Sequence, residues 1–174
     1  PELVNRIADI PGVRWIRLMY LHPDHITDAI LNLYAAQPKV VPYIDIPFQH
    51  ASAGVLKLMN RAGDAARYTA LIERLRETRP DMAIRSTFMV GHPGETEDDF
   101  RILMDFLRKN RLDRVGAFMY SPEEGTVSAG FERPAPRTVK KRYAELMETQ
   151  MKISAQRMEE RVGTYCEALV EERV

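Results

Sequence analysis

Four times along this chain an apolar run of strand length stops at a proline or glycine and gives way to residues with helical spacing. The runs are Trp15 to Tyr20, Val40 to Ile46, Ile84 to Val90 and Arg114 to Tyr120. Strand starts recur roughly 25 to 45 residues apart, enough for right-handed strand-helix-strand units to build a parallel sheet. No GxGxxG follows the first run, so a dinucleotide-binding fold has no support. Four units are half of the eight in a closed barrel. The expected fold is therefore α/β, a partial (β/α) TIM-like barrel with a parallel sheet and outer helices.

The intervening stretches carry their own punctuation. Asp24 is placed to cap a helix with Ile26, Ile30, Leu31, Leu33 and Tyr34 that ends before Pro38. Ser52 is placed to cap a short one with Val55, Leu56 and Met59, and Asp64 begins a longer one with Tyr68, Leu71, Ile72 and Leu75. Thr96 with Asp99 three residues on reads as a capping box, opening a helix with Phe100, Leu103, Phe106 and Leu107 on one face. A long helix is expected from about Thr138 to Val162, with Val139, Leu146, Met147, Met151, Met158 and Val162 turned inward as core and Gly163 closing it. Tyr165 to Glu171 alternates weakly, like the first strand of another domain. Pro1 to Ala8 has helical spacing but no initiator methionine, as though cut from a longer chain.

Twenty-five basic residues balance twenty-five acidic ones, so nothing global points to non-specific binding of nucleic acid or a membrane surface. There is no signal-peptide pattern and no apolar run of the roughly 18 to 20 residues a span requires; a cytoplasmic protein is expected. The single cysteine, Cys166, permits neither an internal disulfide nor a CxxC metal site.

In a parallel sheet, ligands gather at the C-terminal ends of the strands. Here those ends carry Tyr20 to Pro23, Pro47 to His50, Val90 to Pro93 and Tyr120 to Glu123, and all four histidines, His22, His25, His50 and His92, lie at or just beyond them. A metal-dependent hydrolase drawing ligands from His22, His50 and His92 is one reading, although the HxH or HExxH spacings are absent. Plain loop chemistry is the other: His22 and His92 precede prolines, and Gln49-His50 can bond loop backbone. Arg85, in an otherwise apolar strand, needs a partner; it is either a carboxylate such as Asp45 or a ligand. Gly91 and Gly94 before a helix suggest an anion-binding turn, but Glu95, Glu97, Asp98 and Asp99 crowd it and favour a neutral or cationic ligand.

Beyond these generic signals, four blocks carry a family resemblance. They are Tyr43 to Ser52 (YIDIPFQHAS), Leu56 to Arg61 (LKLMNR), Arg85 to Phe100 (RSTFMVGHPGETEDDF) and Leu112 to Thr126 (LDRVGAFMYSPEEGT). In wording and spacing, nearly end to end, the chain resembles the radical S-adenosylmethionine methylthiotransferases. It is more similar to the RimO branch, which acts on an aspartate of a small-subunit ribosomal protein, than to the tRNA-modifying MiaB branch, which has Gln-Ser-Gly-Ser where Gln49-His50-Ala51-Ser52 stands here.

The resemblance implies that residues 1–163 are the C-terminal half of a radical S-adenosylmethionine barrel and 164–174 the start of a TRAM-like β domain. It implies S-adenosylmethionine and two 4Fe-4S clusters as cofactors, the clusters ligated outside this chain, and a deoxyadenosyl radical that removes hydrogen from the carbon to be methylthiolated. RNA contact through the TRAM domain is a further implication. By motif position, Gln49 and Arg85 would face the methionine carboxylate or ribose, Thr87 and Val90 would line the middle, and Phe118, Met119 and Tyr120 would lie near the adenine. The family's CxxxCxxC and Gly-Gly-Glu motifs are not in this sequence, so this chain by itself is expected to be inactive, with no metal ligands of its own. The alternatives are the tRNA-modifying enzyme, the histidine-liganded hydrolase and a binding module without a cofactor.

Overall fold

The computed structural model describes residues 1–169. A short helix, α1 (Glu2–Ala8), precedes the repeating part: β1 (Ile16–Leu18), α2 (Asp28–Ala36), β2 (Val40–Asp45), α3 (Ala53–Leu58), α4 (Ala65–Thr78), β3 (Ala83–Val90), α5 (Glu97–Asn110), β4 (Arg114–Met119) and α6 (Pro136–Glu159). The strands pair in the order β1-β2-β3-β4, all parallel. Consecutive neighbours joined by crossovers of one hand put their helices on the same side of the sheet, and that separates this topology from a doubly wound one. The other face stays bare of helices, as the inside of a barrel is.

Burial follows that division. Along β3, Ile84, Ser86, Phe88 and Val90 are buried while Ala83, Arg85, Thr87 and Met89 are partly exposed. This is the period-two alternation of a strand covered on one side only. The buried set packs with Phe48, Tyr68 and Phe106, whose rings lie 4.5 Å (Phe48 and Tyr68) and 5.8 Å (Phe48 and Phe106) apart at their centroids. Phe106 reaches this cluster because α5 buries Phe100, Leu103, Met104, Phe106 and Leu107 on one face.

The helix starts divide between expectation and surprise. The Thr96 box forms in full, with the Thr96 hydroxyl accepting from the Asp99 N–H and the Asp99 carboxylate accepting from the Thr96 N–H. Asp64 caps α4 through the Arg67 N–H. Asp24, by contrast, sits inside a single turn of 3-10 helix, and Thr27 stands at the N-cap of α2. Ser52 occupies the N-cap position of α3, but its hydroxyl donates to Asp99 instead of capping.

The expected inward face of α6 holds only in part: Leu146 is buried and Val139 and Met147 pack against the core, whereas the other three positions do not. Met151, Met158 and Val162 are 68%, 52% and 73% exposed, and the inward stripe is Arg142, Leu146, Gln150 and Ile153. The helix runs along the β4 edge, where its inward positions meet backbone carbonyls as well as apolar atoms: Gln150 donates to the Leu112 carbonyl at 2.8 Å. A buried polar side chain with a partner costs little, so the hydrophobic stripe did not set the helix rotation. Residues 164–169 have no regular structure, and the remainder of the alternating tail lies outside the described residues.

Candidate functional site

The strand ends are organised by one buried ion cluster. After β3 the chain turns at Gly91, whose φ of +78° is the left-handed region that glycine enters freely. The Gly91 N–H donates to the Glu95 carboxylate at 2.6 Å, and the other oxygen of that carboxylate accepts from Arg142 of α6 at 2.7 Å. Arg142 also donates to the Glu95 carbonyl and to Glu97, and its guanidinium lies over the Phe100 ring. Glu95 and Arg142 are both almost wholly removed from water. Burial pushes the Glu95 carboxyl up, while the Arg142 charge and the Gly91 N–H pull against it. Glu95 thus supplies from within the anion that the glycine turn would otherwise attract from solution.

His50 completes the cluster from the end of β2. Its Nδ1 accepts from the Ser52 N–H at 3.0 Å, while Nε2, fully buried, stands 3.9 Å from Glu95 without a hydrogen-bond partner. Burial lowers its pKa from 6.5 to about 4, with Asp99 opposing and His92 and Arg142 assisting. An unfolded imidazole takes a proton below about 6.5 and the folded one only near 4, so stability contributed by neutral His50 is lost as pH falls across that window. The full swing is about 3 kcal/mol. Glu95 works in the opposite sense: its share is fullest at low pH and is lost as pH rises through its raised folded value. Urea midpoints at pH 7 and pH 4.5 are expected to show a drop that is largely absent in His50→Asn; an equal drop in the variant would put the titrating group elsewhere.

His22 and His92 lie just beyond the ends of β1 and β3, and His25 closes the 3-10 turn. His22 accepts from the Asp24 N–H, and His92 contacts the Pro93 carbonyl through Nδ1 at 2.9 Å. His22, His50 and His92 do not converge, and among the described residues no three His, Cys, Asp or Glu side chains are placed to hold a metal ion together.

The residues expected to touch a ligand separate into two groups. Arg85 and Thr87 lie on the open face, and the parallel register puts Arg85 beside Asp45 and Arg114, Thr87 beside Gly116 and Met89 beside Phe118. Arg85 donates to Asp45 at 3.2 Å and its pKa is raised chiefly by that charge, yet its side chain is still 38% exposed. The second oxygen of Asp45 is buried with no partner. Phe118 is 63% exposed, an unusual state for a phenyl ring in a strand. Gln49, which bridges to Phe88 beyond the end of β2, holds a φ of +70°, a strained conformation for a residue with a side chain.

Val90 departs from this set. It has no exposed surface and packs in the helix-side core, because it is three residues from Thr87 along a strand and so points to the opposite face. Met119 also alternates away from Phe118, and together with Tyr120 it borders a cleft at the start of α6. Sequence reasoning missed Glu95 and Arg142 as a pair. Glu95 reads as one of several acids at the turn and Arg142 as an ordinary helix residue, and 47 positions separate them. The only signal was the arginine at an inward position of α6, four residues before Leu146.

Comparison with known proteins adds the following. Residues 1–107 match the family model described as the Radical SAM superfamily. The ribosomal protein uS12 methylthiotransferase RimO of Moorella thermoacetica is 51% identical over 155 residues, covering 88% of this chain and 36% of the relative. That of Symbiobacterium thermophilum is 44% identical over 172 residues, with 99% and 36% covered. This chain thus spans little more than a third of the length of these curated relatives. Among solved structures, coproporphyrinogen III oxidase (HemN) from Escherichia coli aligns with a TM-score of 0.67 at 19% identity, over 87% of this chain and 35% of that one. The Elp3 protein of the archaeon Methanocaldococcus infernus aligns at 0.56 and 15%, over 78% and 32%. At those identities the likeness is one of fold.

Proposed function

From the premise that the chain belongs to the radical S-adenosylmethionine superfamily, we propose that it forms the C-terminal half of the barrel in a cytoplasmic methylthiotransferase acting on an aspartate of ribosomal protein uS12. The observation that carries this reading is the identity of 44 to 51% to RimO proteins over nearly the whole chain. Residues 164–174 would then begin a further, TRAM-like domain in contact with RNA. The tRNA-modifying and hydrolytic alternatives draw no comparable support.

The open face fits S-adenosylmethionine. Arg85 offers a partly exposed cation to a carboxylate, the unpartnered Asp45 oxygen an acceptor near it, Thr87 a hydroxyl, and Phe118 an exposed ring for a base to stack on. Gln49 at its strained turn would frame the upper end, while Val90 would act only by packing behind it and Met119 and Tyr120 would border it from the neighbouring cleft at the start of α6. These side chains bind and orient. When bound beside a reduced cluster, S-adenosylmethionine supplies one-electron chemistry. An iron-sulfur cluster does not fit the described residues, whose only cysteine is the exposed Cys166. Its ligands would come from outside this chain, and the chain alone is expected to be inactive.

The test uses the full-length parent protein with its clusters in place. It is expected to add the mass of one methylthio group to uS12. In calorimetry, Phe118→Ala is expected to weaken S-adenosylmethionine binding roughly fivefold or more, since stacking a base on an aromatic ring contributes about 1 to 3 kcal/mol. Arg85→Ala is expected to weaken it at least as much. Unchanged affinity in both would remove the open face from the cofactor site.

A further inference from the structure

The first two turns of α6 carry charge of the sign that a helix dipole disfavours at its start. Between Arg133 and Arg142 the sequence has five cations and no acid. Among the described residues only Arg142 has a carboxylate partner, in Glu95 and Glu97. Arg133, Arg137, Lys140 and Lys141 are exposed. Cations at the start of a 24-residue helix oppose its dipole, and here no acidic residue stands in the first turn and no side chain caps it. Local rules of this kind are broken where something else benefits.

What lies beside these charges is a cleft of about 470 Å³ between the end of β4 and the start of α6. Arg133 and Lys140 line it on one side, Gly91, Met119 and Tyr120 on the other. The Tyr120 hydroxyl is buried without a hydrogen-bond partner. Of the acids at the strand ends, Glu95 is engaged with Gly91 and Arg142 and Asp99 with Thr96 and Ser52, while the loop acids Glu123, Glu124 and Glu132 do not line the cleft. The cleft is therefore positive, at the ligand-binding end of the sheet, on the helix side of β4 and apart from the open face.

We propose that this cleft docks the phosphate backbone of RNA, a proposal that rests on the uS12 reading above. The four cations, without a carboxylate partner among the described residues, extend through the loop and about 6 Å of helix axis. Such a row suits successive charges of a polyanion better than one carboxylate. Ribosomal proteins are bound to RNA, so an enzyme that modifies one in place meets phosphates around its target. A chain with no net charge would gain that affinity only through a local patch.

The experiment uses the full-length protein and a variant carrying Arg133→Ala, Arg137→Ala, Lys140→Ala and Lys141→Ala, all exposed, the last three in α6 where alanine favours helix. Anisotropy with a fluorescein-labelled RNA hairpin, read across a series of salt concentrations, is expected to show affinity falling about tenfold or more and the log-log salt slope shrinking by about 3 in the variant. Poly-glutamate is expected to compete poorly. An unchanged salt slope would overturn the proposal, and so would poly-glutamate binding as tightly as RNA. Modification of isolated uS12 reports on the underlying reading separately: the variant is expected to keep it, while losing most of its activity on uS12 bound to RNA. Equal activity of the two proteins on RNA-bound uS12 would also count against the cleft.

Discussion

Arg142→Ala is expected to lower the unfolding free energy by about 3 to 5 kcal/mol, the usual loss when one partner of a buried ion pair is removed. The deletion leaves the Glu95 carboxylate with no exposed surface and without its Arg142 partner, held by backbone N–H groups such as that of Gly91. It also removes the bonds to Glu97 and the Glu95 carbonyl that tie α6 to the turn after β3. The measurement is urea denaturation with a constant m-value. Arg142→Met, which fills the space without the charge, distinguishes packing from pairing: with Glu95→Gln it is expected to recover part of the loss, since replacing both members of a buried pair is often near neutral. No recovery in the double variant would mean that the hydrogen bonds to backbone, not the ion pair, hold α6.

Gly91→Ala is expected to destabilise the protein by about 3 kcal/mol, from two sources that can be separated. A φ of +78° costs an L-residue about 1 to 2 kcal/mol. The added methyl carbon would also stand 2.6 Å from both γ carbons of Val139, which is overpacking of the kind that costs about 1 to 3 kcal/mol. Valine in a helix has one favoured rotamer, so α6 itself must shift. In a Val139→Ala background the steric part is expected to disappear and the dihedral part to remain. Were the same full penalty seen in that background, the Val139 contact would not be its cause.

Both predictions concern residues whose individual meaning the chain order hides. The alternation of strands and helices, the parallel order and the capping box at Thr96 were legible because each rests on residues within a few positions of one another: a period of two along β3, a proline or glycine after it, a hydroxyl three residues before a carboxylate. The pairing of Arg85 with Asp45 was legible in the weaker sense that a charge in a strand demands a partner and adjacent strands offer few. The rotation of α6 was not. Its pattern of methionines describes a plausible core face, but Arg142 and Gln150 find partners in the turn after β3 and in the Leu112 carbonyl, and those bonds set which side faces in. Val90 was misassigned for a simpler reason, since a motif position says nothing of which face of a strand its side chain takes.

The sequence by itself determined the βα repeat, the location of the candidate site at the strand ends and, through its motif wording, the family. Those depend on local periodicity and on residue identity, which a linear reading preserves. Only the tertiary structure decided that Glu95 turns inward to satisfy Gly91, that His50 loses water and with it its usual proton affinity, and that of the cations around the start of α6 only Arg142 meets a carboxylate among the described residues. Each depends on which side chains from distant segments meet, and on how much water remains where they do.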